Sequence, residues 1–319
     1  MASYFNKIKD KIFNYQENEK LYSDENINYY EWHNYNNNNW FTKFVQYNFP
    51  NVEYKLNFYG VLGKGKAVKR VTDGGKIFFS GENLDKRFTK WNWIFGDYCI
   101  KDVDLAMGFA DLKNEKYMRL PLWITYVFSP TSTATDISEK ISRINNARFN
   151  KKMDSVLLAG HDKHGTRKMI YDGLKNIFDI KCAGKWNNNT DELWTKYNNN
   201  KIEYIKNFKF NICPENINTP NYVTEKLFEA FLADCIPIYY GADNNPEPNI
   251  INDNAVLFWK KNNDNKENKK LILELLGNDK LYREFISQPK FKTNADDVII
   301  NIFDELKCKI EKIIKKGFD

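Results

Sequence analysis

Short apolar runs that end at glycine, proline or charged residues alternate along this chain with longer stretches of helical spacing, the pattern of strands interleaved with helices. Tyr54 to Tyr59, Lys76 to Ser80 and the segment DVDLAMGF read as strands, and YMRLPLWITYVF as a helix or a mixed apolar element. Thr131 to Ser142 is polar, and its TSTATD stretch resembles a linker. A second round begins after it: Ser155 to Ala159 as a strand, Gly160 to Gly165 as a turn-rich loop, Thr166 as N-cap and Arg167 to Phe178 as a helix. Phe210 to Cys213 is a strand stopped by Pro214. Leu227, Phe228, Ala230 and Phe231 then mark an amphipathic helix, and Ile236 to Tyr240 a buried strand ending at Gly241. Lys260 to Lys270 reads as a charged loop without periodicity. Near the end, Ile299, Ile302, Phe303, Leu306, Ile310 and Ile313 recur at helical spacing opposite Lys307, Lys309, Lys312, Lys315 and Lys316, a helix that either packs on its own domain or lies on a membrane surface. The first 50 residues, rich in Asn, Tyr and Lys with the tract Asn36 to Asn39, carry no assignable pattern.

Strands joined through helices must run parallel, and right-handed crossovers carry the loops that follow them to the carboxyl edge of the sheet. The joints Gly160 to Arg167 and Pro214 to Lys226 are therefore expected on one edge of one sheet, where α/β proteins hold ligands. The boundary is placed near residue 150, giving domains 1–150 and 151–319, both α/β, with a cleft between them.

The length of 319 residues fits two domains, and 42% hydrophobic with 16% aromatic residues excludes wholesale disorder. A net charge of +6 is mild for a chain with 48 basic and 42 acidic residues, and the basic residues are dispersed, so a nucleic-acid binder is disfavoured. Cys99, Cys182, Cys213, Cys235 and Cys308 are odd in number and widely spaced, which suggests a reducing compartment rather than a disulfide framework. MASYFNKIKDKIF lacks a signal-peptide core and no run has the length of a membrane span, so a cytoplasmic protein, at most peripherally attached, is expected.

Thr224, Glu225 and Lys226 open the helix after the Pro214 to Asn221 loop, where free backbone N–H groups and a lysine make a seat for an anion such as a diphosphate. Glu225 either accepts hydrogen bonds from ribose hydroxyls or complements the helix dipole, and Lys226 is either a ligand group or a solvated charge. Arg167, at the start of its helix, either clamps a diphosphate bidentately or is exposed. Glu82, in FFSGEN at a strand end, is a general-base candidate or a solvated turn residue. Gly60-x-x-x-x-Gly65-Lys66 resembles a P-loop, but Ala67 replaces the hydroxyl that would bind magnesium, and a strand-to-helix turn explains it. His161 and His164 lack a third ligand, so no metal site is assigned to them. Trp91 and Trp93 either stack on sugar rings or belong to a core.

These segments carry a family resemblance. FNICPENINTPNYVTEKLFEAFLADCIPIYYGA is similar to the signature of the α-1,3/4-fucosyltransferases of glycosyltransferase family 10. FFSGEN, DLAMGFADL, KYMRLPLW and GTRKMIYDGL resemble further elements of that family in family order, over roughly residues 54 to 260. The resemblance implies a GT-B fold of two Rossmann-like halves facing across a cleft, acceptor domain first and GDP-fucose domain second. It implies Glu82 as general base, Arg167 and Lys226 on the diphosphate, and Asn216, Tyr222 and Glu225 holding the nucleotide sugar. The reaction it implies is inverting transfer of L-fucose from GDP-fucose to O3 or O4 of an N-acetylglucosamine- or glucose-containing glycan, with no essential metal or other cofactor and with divalent stimulation left open. Pro214 departs from the family's aromatic residue before Glu-Asn, the loop up to Tyr222 is neither Gly-rich nor His-containing, and the first 50 residues do not match. The membrane anchor and stem of animal Golgi members are not found, so the compact bacterial type is expected. The alternatives are a GT-B transferase for another nucleotide sugar and a non-catalytic glycan- or nucleotide-binding relative.

Overall fold

A computed structural model describes residues 22–24, 26–32, 39–63, 65–85, 92–146 and 153–317. The apolar runs form two sheets. The first holds β1 (Tyr22–Asp24), β2 (Ile27–Tyr30), β3 (Leu56–Tyr59), β4 (Gly75–Phe79), β5 (Leu105–Gly108) and β6 (Tyr117–Arg119) in sequence order. β1 and β2 pair antiparallel as a hairpin, while β2 with β3, β3 with β4 and β4 with β5 are parallel. β2, β3 and β5 are buried at every position, as strands covered on both faces are. Tyr29 stacks on Phe58 and Tyr30 on Tyr59 across the β2–β3 ladder.

The second sheet is entirely parallel. Its strands are β7 (Met153–Leu157), β8 (Ile180–Cys182), β9 (Phe208–Ile212), β10 (Ile236–Tyr239) and β11 (Leu257–Phe258), in the spatial order β11-β10-β9-β7-β8. Sequence order reverses between β7 and β9, the topological switch point of a doubly wound sheet, where a crevice opens outside the carboxyl ends. Leu157 pairs with Ile212, so both strands end at the same level and the loops after them leave from one edge, as expected. Phe210, Ile212, Ile236 and Ile238 form the centre of the core with Ile170, Leu174, Ile272 and Leu275 from the covering helices.

The chain separates into two compact units, Met1–Gly108 with Leu112–Met118 and Leu306–Asp319, and Phe109–Asp111 with Arg119–Glu305. The first sheet is built from strands between Tyr22 and Arg119 and the second from strands between Met153 and Phe258. Trp123, on the helix Leu122–Val127, stacks face to face on Phe228 at 4.0 Å, which ties residues before 150 to the second unit. The end of the terminal helix Ala295–Lys316 belongs to the first: Lys309 donates to the Glu115 carbonyl, and Ile313 lies where a Cβ on Gly75 would touch it. Ile299, Leu306, Ile310 and Ile313 are buried, so the apolar face is used inside the protein, while Asp304, Glu305, Lys307, Lys312, Lys315 and Lys316 face outward. No helix among the described residues is long and apolar enough to cross a membrane.

Several local expectations change. TSTATD is not a linker: Asp136 N donates to Thr133 Oγ1 and the Asp136 carboxylate accepts from Thr133 N at 2.8 Å, a capping box that starts the helix Ala134–Asn145. The Lys260 to Lys270 loop gives way to the helix Lys266–Gly277, because Asn265 folds the preceding residues by bonding the Lys260 N–H and carbonyl. Asn39 caps the helix Trp40–Asn48, accepting from Phe41 N at 2.9 Å, which places an element within the unassigned first 50 residues. Thr166 is the first helical residue rather than the cap; Gly165 takes that place at φ 72°, and the Asp162 carboxylate accepts from the Arg167 and Lys168 amides. In the Gly60 to Lys66 turn, the Gly65 amide donates to the Glu31 carboxylate, so a protein carboxylate sits on the amide a phosphate would use. Trp91 and the side chain of Trp93 lie outside the described residues.

Phe210 sits at the centre of the second core with no exposed surface. Phe210→Ala is expected to lower stability by about 3–5 kcal/mol in urea unfolding followed by circular dichroism; a loss below about 1 kcal/mol would show that the site collapses around the smaller residue.

Candidate active site at the switch point

The loops after β7 and β9 bring four charged side chains to the switch point. Arg167 lies in the first turn of the helix Thr166–Leu174 and is only 4% exposed. Its Nη2 donates to Asn216 Oδ1, while Nη1 is buried and has no hydrogen-bond partner among the described residues. Burial depresses its pKa, opposed by the nearby carboxylates of Asp162, Glu215 and Glu225. A buried guanidinium N–H without an acceptor costs free energy unless something with lone pairs arrives.

Glu215 lies on the other side of the switch point and has no exposed surface. Its Oε1 accepts from Thr224 N at 2.7 Å, its Oε2 from Thr224 Oγ1 at 2.7 Å, and Tyr239 Oη lies 3.4 Å from Oε1. Lys226 Nζ stands 3.4 Å from Oε2, 3.2 Å from Glu225 Oε1 and 2.8 Å from Thr224 Oγ1. Burial raises the Glu215 pKa, with Lys226 offsetting part of it. For Lys226 burial works to lower the pKa, but Glu215 and Glu225 outweigh it and the ammonium is held charged. Glu225 feels burial in the raising direction, and Lys226 and the backbone bring its pKa below the usual value. Gly241 completes the packing, since a Cβ there would lie 2.6 Å from Glu215 Cγ.

These contacts decide the open readings of the sequence. Lys226 is not a solvated surface charge: its side chain is 20% exposed and held between two carboxylates. Arg167 is not an exposed helical arginine. Because the Thr224 hydroxyl donates to Glu215 and accepts from Lys226, it makes no side-chain cap on the helix Glu225–Leu232. The first amides of that helix stay uncapped by Thr224, on a positive helix end. Arg167 and Lys226 line one small cleft together with Asn211, Cys213, Pro214 and Glu229. Formally Arg167 and Lys226 balance Glu215 and Glu225, and Lys201 faces Glu229, so what this cleft offers is oriented donors rather than net positive charge.

Asn216 reaches the site through its bond to Arg167. Tyr222 is buried, its ring edge-on to Phe109 at 5.0 Å. His161 and His164 are exposed on the loop before the helix Thr166–Leu174. Glu82 belongs to the first unit, exposed in a turn just past β4 where Ser80 Oγ accepts from Glu82 N at 3.2 Å. Sequence reasoning missed Glu215, and only its place beside Asn216 in PEN could have singled it out. It also missed Glu229, one helical turn beyond Glu225, whose carboxyl burial pushes up to about 7, with Lys201 at 3.5 Å offsetting part of the effect.

Glu229 sets a pH dependence whose sign is fixed. Its folded pKa lies above the unfolded value of 4.5, so the folded state holds more protons between about pH 4.5 and 7, and stability from this group is lost as pH rises through that window. Glu229→Gln is expected to flatten the fall, gaining at most about 3 kcal/mol at pH 8 relative to pH 4.5. Parallel stability curves for variant and wild type in urea at the two pH values would refute it.

Comparisons with known proteins agree with this architecture. A family model for glycosyltransferase family 10 (fucosyltransferase), C-terminal part, matches residues 148–314. A model for the α-(1,3)-fucosyltransferase FucT N-terminal domain matches residues 25–126. That second match reaches into the first 50 residues, further than the motifs suggested. The α-(1,3)-fucosyltransferase FucT of Helicobacter pylori is 25% identical over 221 residues, 60% of this chain and 43% of that protein. Human 4-galactosyl-N-acetylglucosaminide 3-α-L-fucosyltransferase 9 is 31% identical over 169 residues, 52% of this chain and 43% of that one. The chain thus spans less than half the length of either relative. The crystal structure of an α1,3-fucosyltransferase with GDP-fucose shares the fold at TM-score 0.53 and 20% identity, covering 81% of this chain and 77% of the other. A family model that matches residues 148–314, more than half of the chain and including both switch-point loops, places this chain in glycosyltransferase family 10, the fucosyltransferases.

Proposed function

We propose that this chain transfers L-fucose from GDP-fucose to a hydroxyl, O3 or O4, of an N-acetylglucosamine- or glucose-containing glycan, with inversion at the anomeric carbon. The observation that carries the donor half is the cleft lined by Arg167, whose Nη1 has no hydrogen-bond partner among the described residues, and by the paired Lys226, at the start of the helix Glu225–Leu232 that Thr224 does not cap, in a chain of family 10. A leaving diphosphate gains negative charge as the bond from fucose C1 to the phosphate oxygen breaks, and fixed donors stabilise that charge without reorganising. In this reading Arg167, Lys226 and the helix N-terminus take the diphosphate, and Asn216, Tyr222 and Glu225 hold the rest of the nucleotide sugar. That charge compensation needs no metal, and transfer is expected to persist in EDTA.

The acceptor oxygen bonds to C1 as GDP departs, and its proton must go to a base. Glu82 takes that role in the proposal: it is a carboxylate exposed at the carboxyl end of β4. Glu82→Ala is expected to abolish transfer while GDP-fucose binds with wild-type affinity in calorimetry; normal turnover would remove Glu82 as the base. Lys226→Ala is expected to weaken GDP binding by about 1.5–3 kcal/mol, and an unchanged dissociation constant would exclude it from the diphosphate. The reading as a whole is tested by an acceptor screen with GDP-fucose, GDP-mannose and UDP-sugars, the product linkage read by NMR. Transfer from another donor, and none from GDP-fucose, would overturn it.

A further inference from the structure

A second buried carboxylate in the same unit lies outside the lining of the switch-point cleft. The Glu247 side chain is 3% exposed, and its backbone is held in the left-handed region at φ 46° while its carbonyl accepts from Ile250 and Ile251. Arg119 grips the carboxylate with both arms, Nη1 to Oε2 at 2.8 Å and Nη2 to Oε1 at 2.7 Å, and Trp123 Nε1 adds a third bond at 2.8 Å. The same guanidinium donates from Nε to the Phe109 carbonyl at 3.1 Å and from Nη2 to the Asn221 carbonyl at 3.2 Å.

Two of these links converge on Tyr222. Asn221 is its neighbour, left-handed at φ 62°, and Phe109 carries the ring that meets Tyr222 edge-on. The third donor, Trp123, stacks at 4.0 Å on Phe228 of the helix Glu225–Leu232. The chain from Asn221 to Phe228 is therefore held at Thr224 by Glu215 and at Asn221 and Phe228 by the group around Glu247.

We infer that Arg119 and Glu247 are positioning residues for the donor, clamping the Asn221–Tyr222 turn in the conformation that receives the nucleotide sugar; this rests on the GDP-fucose reading of the switch-point site. A planar fork fixes direction as well as distance, which a lysine at 119 cannot reproduce. A clamp that only stabilised the fold would cost stability and leave donor affinity alone.

Calorimetry with GDP-fucose, in the absence of acceptor, separates these cases on the full chain. Arg119→Lys and Glu247→Gln are each expected to raise the donor dissociation constant about tenfold. Trp123→Phe, which keeps the stack on Phe228 but removes one donor to Glu247, is expected to shift it the same way by a smaller factor. Leu275→Ala, on the buried face of the helix Lys266–Gly277, serves as a destabilised control and is expected to keep the dissociation constant within about twofold despite a lower melting temperature. Unchanged affinity in the folded clamp variants, or the same loss in Leu275→Ala, would overturn the inference. Wild-type protein that binds neither GDP-fucose nor GDP would overturn the donor reading instead. If Glu247→Gln does not fold, Arg119→Lys and Trp123→Phe decide.

Discussion

A carboxylate with no access to water has to be surrounded by donors, and Glu215 imposes that requirement on the whole switch point. The Thr224 amide and hydroxyl, the Tyr239 hydroxyl and the Lys226 ammonium all turn toward it. Each has a cost elsewhere. Thr224 no longer caps its helix, Lys226 is drawn back from solvent, and residue 241 must lack a side chain. The arrangement of donors around the cleft follows from satisfying one buried negative charge, so it is built from within the sheet rather than displayed on its surface.

The same logic distinguishes the two cations. Lys226 has its charge compensated twice over, and an arriving anion would compete with Glu215 and Glu225 for it. Arg167 shares one arm with a neutral amide and leaves Nη1 without an acceptor among the described residues. The lysine is committed to arranging the helix start, while the arginine keeps a donor uncommitted there.

Both strand-to-helix joints were legible in the sequence because strand periodicity, Pro214 and the polar run before Leu227 are local signals, and parallel pairing then forces the loops to one edge. Arg167 and Lys226 were legible as candidates, but their burial was not, since it depends on Asn216 and Glu215 arriving from another joint. Glu215 and Glu247 were invisible for the same reason: a carboxylate in a polar loop looks solvated until the partners at Thr224, or at Arg119 and Trp123, are known. TSTATD was misread because a capping box is made of the same residues as a linker, and only the isoleucines at 137, 141 and 144 tell them apart. The strand order that creates the switch point is a property of the sheet that no single segment carries.

The terminal helix Ala295–Lys316 starts in one compact unit and ends in the other. Synthesis runs from the N-terminus, so the first unit is made almost entirely before its last piece, Leu306 onward, exists. Ile310 and Ile313 are buried in the finished protein, so until the final turns emerge the surface they cover stays open. Completion of the first unit therefore waits on residues made after the whole of the second unit, so its seal depends on chain synthesised last of the two.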